Sequence, residues 1–585
     1  MPFNEKPYKL EVLGLPGNAE LKMIKDSFRT ADICNIDVTS ENGEKLDLSE
    51  MKIVIRTACG DIAGRWYPAK KQLDRAVHNS WEWGYQTAYM KGAPIVSYFR
   101  SDDVNRLTVA LSDSFTSWHF KTGVNDEIKS LEHNCFPKLG VCGEYSVKIL
   151  IDLNEIPYYD AVRNAADWWA RLYGAINLPE SAFEPVYSTW YAYQREIFAD
   201  ELVKQCRMAY DLGIRTVIID DGWATPLNTD RYNDSGDWKP TVDKFQDMKR
   251  FVSEVHSIGM RVLLWVAPGI AGFASKAAAA YDGKFLIKSD KALNYVLDIR
   301  YPEIRENLCE SFKRLVGDYD LDGLKIDFID IISGEDREIG DGRDVVSVSQ
   351  AVKLLVEQIN KALTSIKPDI LIEYRQDYTG PQVAKNANIM RATDCPQDYL
   401  ANRVDTVDLR LHTSAAVHSD MLQFNENEPV EISALQFTNV LFSTPQISVR
   451  FDEISSEQTQ MVKFWVEFMS RKRGLLQKGH LQPHRCDAEY SYIVAEDDNE
   501  RLTALYSERL LILETEKKTD YIVNAVDRGI IYIGQLKSRN VSYSILDCMG
   551  NKVKIGKTVL CENAKPFKIP FNGMMIIKQI ERNET

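Results

Sequence analysis

The spacing of hydrophobic and polar residues changes twice along the chain. Up to about residue 165, short segments alternate with period two, as in Met51-Lys52-Ile53-Val54-Ile55-Arg56, Leu107-Thr108-Val109-Ala110-Leu111 and Tyr145-Ser146-Val147-Lys148-Ile149-Leu150-Ile151. Turn residues separate them, which predicts a β-sandwich over 1–165. Ala161 to Tyr173 reads as a helix running into a linker at Asn177-Leu178-Pro179-Glu180. Over 183–480 the pattern becomes short apolar runs separated by helical stretches. The runs are Val186–Trp190, Thr216–Asp221, Arg261–Ala267, Gly323–Phe328, Ile370–Tyr374, Asn388–Thr393, Ala416–Met421 and Pro445–Arg450. Helices are predicted at Ala199–Leu212, Asp247–Ile258, Pro302–Leu315, Val345–Ile366 and Ser456–Met469. Eight such units predict a central (β/α)8 TIM barrel. A doubly wound sheet would carry a glycine-rich phosphate loop after its first strand, and Trp190-Tyr191-Ala192-Tyr193 is not one. Over 485–585 short strands return, predicting a C-terminal antiparallel β-domain.

Composition agrees with a multidomain chain. At 585 residues, two to four domains are expected, and 44% hydrophobic residues suffice for large cores. The 11 Trp, 27 Tyr and 22 Phe are mostly core, with a minority available to stack on sugars. A net charge of −14 and the lack of a basic patch argue against nucleic acid. No run approaches the roughly 18 apolar residues that span a bilayer. Met1 to Leu10 shows no basic segment followed by an apolar one, so no secretory leader is read there. The ten cysteines are scattered, with no CxxC pair, which fits reduced thiols and a cytoplasmic protein. Self-association into a homo-oligomer is left open by the sequence.

The candidate chemistry lies where apolar runs end in charge. Leu324-Lys325-Ile326-Asp327-Phe328 places Lys325 and Asp327 on one face of a strand. An ammonium beside a carboxylate keeps it ionised, as a nucleophile requires; a structural ion pair has the same spacing. Val217-Ile218-Ile219-Asp220-Asp221-Gly222-Trp223 ends in two adjacent carboxylates, suited to accepting hydrogen bonds from sugar hydroxyls or to capping a helix. Asp394 follows the run ending at Arg391-Ala392-Thr393, and it is either an acid or a turn former. Trp190, Trp265 and Trp223 stand at or just past strand ends, as aromatic faces for a sugar or as core. His480 and His484 have metal-pair spacing, but the proline between them argues against one helical face, and no metal site is predicted. A P-loop and a GxSxG elbow are absent.

Together these motifs resemble glycoside hydrolase family 36, the α-galactosidase group related to the lysosomal enzymes of family 27. The residues that carry the resemblance are Asp220-Asp221-Gly222-Trp223, Gly236-Asp237-Trp238, Trp265-Val266-Ala267-Pro268, Leu297-Asp298, Lys325-Ile326-Asp327-Phe328, Arg391 with Asp394, and His418-Ser419-Asp420. The resemblance implies an N-terminal β-supersandwich, a barrel and a C-terminal β-sandwich. It makes Asp327 the nucleophile and Asp394 the acid/base, and it makes Asp220 and Asp221 the holders of O4 and O6 of galactose. Lys325, Arg391, Trp190, Trp265, Trp223, Glu373 and Asp420 join them as sugar ligands, with Glu373 and Arg375 at the 2-position. Arg391 precedes Asp394 by three residues where relatives have four, so Asp398 stands as an alternative acid. Trp66, Trp81 and Trp83 are candidates for an aromatic cover from the N-terminal domain. The implied reaction is retaining hydrolysis of terminal α-D-galactosides, with no cofactor and with the two carboxyl groups about 5–5.5 Å apart. A same-fold α-N-acetylgalactosaminidase or transglycosidase, or a non-catalytic carbohydrate-binding protein, are the alternatives.

Overall fold

The computed structural model describes residues 8–58, 60–68 and 74–580. Met1 to Pro7, on which the reading of a missing leader partly rests, lie outside the described residues. The chain divides into two compact units. The first holds residues up to Ile176 together with Gln376–Asn386 and Asp408–Ala415; the second holds Asn177–Arg375, Ala387–Val407 and the chain from Ala416 onward.

The first unit is a sandwich of two antiparallel sheets. One orders its strands Tyr8–Leu13, Lys52–Thr57, Ser130–Pro137, Trp118–Asn125 and Gly84–Thr87; the other orders Ala19–Phe28, Ala31–Ser40, Glu144–Asp152, Asn105–Leu111, Ile95–Phe99 and Gly64–Trp66. Inward residues of both, such as Ile53, Ile55 and Phe120 on one and Ile36, Val109 and Ile149 on the other, form a single core. The predicted helix begins earlier than expected, at Tyr158, and ends at Tyr173. Its Trp169 indole donates to the Leu111 carbonyl at 2.9 Å, tying it to the end of the strand Asn105–Leu111.

In the second unit eight parallel strands follow one another: β1 (Val186–Ser188), β2 (Thr216–Ile219), β3 (Arg261–Val266), β4 (Gly323–Ile326), β5 (Leu371–Arg375), β6 (Ile389–Arg391), β7 (Ala416–His418) and β8 (Gln446–Ile447). β1 pairs with β8, and parallel bridges His418–Thr444 and Leu422–Ile447 join β7 to β8, so the ring closes. The TIM barrel read from the apolar runs is the fold. The predicted helices are present at Ala199–Asp211, Met248–Ile258, Pro302–Tyr319, Val348–Ile366 and Ser456–Arg471. A three-stranded insertion after β3, formed by Ile270–Gly272, Phe285–Ser289 and Asn294–Leu297, was not anticipated. Its strands are too short to show a period.

The C-terminal region carries a seven-stranded and a three-stranded sheet. Most pairs are antiparallel, but Glu500–Leu505 runs parallel to Thr519–Asn524, and Leu510–Leu513 runs parallel to Ile530–Gln535. His480–His484 forms an edge strand of the larger sheet, where a proline is tolerated, and the His484 ring stacks on Tyr492 at 4.3 Å. None of the described helices is long and apolar enough to cross a membrane.

Val186, Ile218, Leu263, Leu371, Ile389 and Ala416 make an apolar layer across the lower barrel, plugged by Ala182 and Phe183. Gly323 stands at the same level. A Cβ there would lie 2.2 Å from the Leu371 carbonyl oxygen and 2.9 Å from Leu263 Cγ. The Gly323→Ala protein should lose about 1–3 kcal/mol through overpacking. A denaturant midpoint equal to that of the unsubstituted protein would contradict this.

Candidate active site

Residues two apart on a strand share a face, so the positions following the apolar layer also point into the barrel. They are Ser188, Asp220, Trp265, Lys325, Glu373, Arg391 and His418, joined by Gln446, and all are buried. Aliphatic residues two positions earlier fix the strands. At the C-terminal mouth the same strands therefore deliver charge into a confined volume.

Lys325 Nζ lies 2.6 Å from Asp220 Oδ2. Burial pulls the Lys325 ammonium down, but the Asp220 charge outweighs it and leaves the group above its ordinary range. Lys325 therefore pairs with Asp220, and the direct partner of Asp327 is Arg375, whose Nε lies 2.5 Å from Asp327 Oδ1. The Phe328 amide donates to the same oxygen at 2.7 Å, and the Trp265 indole donates to Oδ2 at 3.1 Å. Burial alone would raise the Asp327 carboxyl; Arg375 and then Lys325 overcome it and hold the group well below the usual carboxylate range. Phe328 sits in the left-handed region at φ 53°, a strained conformation for a bulky residue, and this turns its amide onto the carboxylate.

Asp221 is gripped by Arg195, with Nε and Nη2 each 2.7 Å from Oδ2. Burial raises Asp221 to about 6, and Arg195 opposes the rise. Gly222 makes this approach possible: at φ 122° its missing Cβ would fall 2.8 Å from Arg195 Cα. Arg195 also covers the Tyr232 ring at 4.6 Å, and Tyr232 meets Phe328 edge-on at 5.6 Å.

Arg391 binds Asp420 through Nη1 and Asp394 through Nη2, the latter at 2.9 Å, and its Nε faces Glu373 at 3.6 Å. The Tyr191 hydroxyl and the Cys395 amide donate to Asp420 Oδ2 at 2.9 and 2.7 Å. Asp394 itself reaches outward, its side chain 59% exposed. What burial it has raises its carboxyl, yet Arg391 and then Lys325 outweigh that and leave it lowered. Asp398 accepts the Ala401 amide at 2.9 Å and caps the helix that follows.

Glu373 lies beneath this network. Gln446 Nε2 donates to Glu373 Oε2 at 2.5 Å and to His418 Nδ1 at 3.1 Å, while His418 Nε2 donates to the Ala182 carbonyl at 2.7 Å. Burial lowers His418 to about 4, so it is neutral at pH 7, and burial raises Glu373. Glu373 is buried, with Oε2 on Gln446; its Oε1 lies 3.6 Å from Arg391 Nε and is without a hydrogen-bond partner.

Trp190 is half-buried at the end of β1. Trp265 packs beside Trp238 and Phe328, at 5.9 and 6.0 Å. Trp223 is fully buried, and its indole donates to the Trp265 carbonyl at 2.8 Å, so it supports that wall from behind. Asp237 caps the amides of Lys276 and Ala277, and Asp298 pairs with Arg300, so both are structural. In the first unit Trp66 is buried with its indole on Asp408, Trp83 lies under the Arg65 guanidinium, and Trp81 is 56% exposed. Sequence reasoning did not single out Arg195, Tyr191, Tyr232, Gln446 or a direct Arg375–Asp327 contact. Only the position of Tyr191 beside Trp190 and of Gln446 inside an apolar run gave a signal. Among the described residues, no group of three or more His, Cys, Asp or Glu is arranged to hold a metal ion.

Residues 180–414 match the family model described as Melibiase. Over that stretch the barrel is similar to the melibiase family. The α-galactosidase of Escherichia coli is 28% identical over 159 residues, which are 26% of this chain and 22% of that one. The match thus spans about a fifth of that relative's length. Two solved α-galactosidases share the fold at 13% identity. That of Geobacillus stearothermophilus, in complex with raffinose, covers 98% of this chain and 87% of its own at a TM-score of 0.66; that of Lactobacillus brevis covers 99% and 86% at 0.65. At that identity the likeness is one of fold.

Arg195 lowers Asp221 against its burial. Arg195→Gln should therefore move the Asp221 transition upward from about 6 and leave less carboxylate at pH 6. Carboxyl-resolved NMR titration measures this; a transition that stays in place or moves down would show that Arg195 does not set it.

Proposed function

We propose that this protein is a retaining glycosidase that removes terminal, non-reducing α-D-galactosyl residues from oligosaccharides or glycosides. The observation that carries this reading is the Asp327 carboxylate at the mouth of a melibiase-like barrel, kept ionised and fixed by Arg375, Phe328 and Trp265. A carboxylate so held attacks an anomeric carbon without first losing a proton and forms a covalent glycosyl-enzyme. Asp394 is the acid/base. Its position on Arg391, within the electrostatic reach of Asp327, supports a carboxyl that works against the nucleophile. Arg391 keeps Asp394 ionised while its side chain faces water. A bound sugar covers its exposed side chain, and loss of water favours the neutral form that donates a proton to the leaving oxygen. After that transfer Asp394 is again a carboxylate and activates the water that releases galactose.

Asp220 and Asp221 accept the 4- and 6-hydroxyls. Both carboxylates are already oriented, by Lys325 and Arg195, so little conformational entropy is lost on binding. Trp265 and Trp190 give the apolar face of the sugar its wall, and Arg391 and Asp420 complete the pocket. The described cysteines are free thiols, which supports a reducing, cytoplasmic setting.

The test is nitrophenol release from α-linked nitrophenyl galactoside, N-acetylgalactosaminide, glucoside, xyloside and arabinopyranoside. Turnover of the α-galactoside foremost is the expected result. Asp327→Asn should reduce that turnover by several orders of magnitude, because the covalent step occurs only through the carboxylate. Near-normal turnover by this variant would refute the assignment of the nucleophile.

A further inference from the structure

The C-terminal region holds a surface groove of about 560 Å³, and none of the barrel-mouth residues lines it. Part of its wall comes from the three-stranded sheet of Leu510–Leu513, Ile530–Gln535 and Lys565–Lys568. Period two turns Leu511, Ile531, Ile533 and Phe567 into the core of this region. The same period turns Ile530 and Tyr532 outward, where they stay 59% and 51% exposed and line the groove. Strand register sets the exposed Leu510 and Pro566 on either side of Tyr532. A half-exposed ring among apolar neighbours is surface that gains by being covered.

Charge stands beside this ring. Glu508 and Arg528 form a two-point pair, with Nε 2.9 Å from Oε1 and Nη1 3.2 Å from Oε2. The Arg509 guanidinium lies 3.4 Å from the Tyr492 ring centroid, and Tyr492 stacks on His484 at 4.3 Å. The stack occupies the flat face of that guanidinium, while hydrogen bonds form at its edge. Glu508, Arg509 and Arg528 all line the groove.

This mixture selects a class of ligand. An anion would meet Glu508, and a cation would meet two guanidiniums. A wholly apolar ligand would take water from the ion pair and replace none of its hydrogen bonds. A sugar ring fits every part. Its C–H face covers Tyr532 and Ile530, its hydroxyls donate to Glu508, and their oxygens accept from Arg509 and Arg528. The volume lies within the range of small-molecule sites, and a groove leaves the ends of a chain free to run on.

We propose that this groove is a carbohydrate-binding site separate from the barrel, and that it holds a neutral oligosaccharide chain with one sugar ring stacked on Tyr532. The inference does not rest on the glycosidase reading, because the groove would hold a chain whether or not the barrel cuts it.

Affinity electrophoresis of the full chain in native gels tests it. The gels contain galactomannan, xyloglucan or glycogen as neutral polymers, or dextran sulfate as an anionic one. Migration against polymer concentration gives a dissociation constant for the unsubstituted protein, Tyr532→Ala and Arg528→Gln. At least one neutral polymer should retard the unsubstituted protein. Tyr532→Ala should weaken that binding roughly tenfold, as the loss of an aromatic anchor does. Arg528→Gln should weaken it roughly threefold, the effect of one hydrogen bond. No retardation by any neutral polymer overturns the proposal. Equal retardation of the unsubstituted and Tyr532→Ala proteins would put the sugar elsewhere and overturns it as well. Retardation by dextran sulfate alone would show a cationic patch that does not recognise sugar, with the same consequence. An exposed ion pair adds little stability, so Arg528→Gln should keep the denaturant midpoint of the unsubstituted protein. If Tyr532→Ala does not fold, unchanged binding by Arg528→Gln overturns the proposal.

Discussion

Everything at the barrel mouth depends on burying ionised groups together. Asp220, Lys325, Asp327, Glu373, Arg391 and Asp420 are each less than a tenth exposed. An isolated buried charge is costly, and it persists only where partners and hydrogen bonds replace its water. Arg391 is the junction: one guanidinium meets Asp420, Asp394 and Glu373. Because each of these carboxylates leans on it, the positions of Asp394, Asp420 and Glu373 are set together. Lys325 does the same for Asp220, and Arg375 for Asp327.

This arrangement gives different carboxyl groups different protonation states within one small volume. Asp327 is surrounded by guanidinium, ammonium and two N–H donors, so its charged form is favoured in spite of burial. Asp221, with a single arginine against deep burial, is raised to about 6, and burial also raises Glu373, which takes an amide hydrogen bond from Gln446. The barrel separates these environments because neighbouring strands hold neighbouring groups at fixed register: Trp265 stands opposite Lys325, Lys325 opposite Glu373, and Arg375 opposite Arg391. The apolar layer one step below keeps that register, since a slip would turn hydrophobic residues outward. A rigid scaffold with a charged rim is the preorganised electrostatic environment that charge-separating chemistry needs.

Much of this was legible along the chain. The runs Val217-Ile218-Ile219 and Gly323-Leu324-Lys325-Ile326 are strands buried on both faces, and their apolar continuity shows it without any partner in view. The carboxylates that end them belong to the same local pattern. Sequence alone therefore placed Asp220, Asp221, Lys325 and Asp327 at a barrel mouth, and the position of Asp394 just past β6 was equally local. It also identified the alternation that builds the N-terminal sandwich, because period two in Lys52–Thr57 or Asn105–Leu111 is a property of the strand itself.

Tertiary structure decided which charge meets which. Lys325 and Asp327 share a face two residues apart, yet Lys325 pairs with Asp220 from β2 and Asp327 takes Arg375 from β5. Arg195 reaches Asp221 from a loop with no periodic signature, and Gln446 reaches Glu373 from β8 only because the ring closes. The parallel pairs of the C-terminal sheets were hidden for the same reason, since strand direction depends on how connections cross in space. Likewise Trp223 and Trp265 look alike in sequence, but packing made one the support of the other. The chain determines its local periods and the residues at each strand end, because these need only near neighbours. Long-range pairing, and with it protonation state, comes from folding, because it depends on distances between residues far apart in the chain.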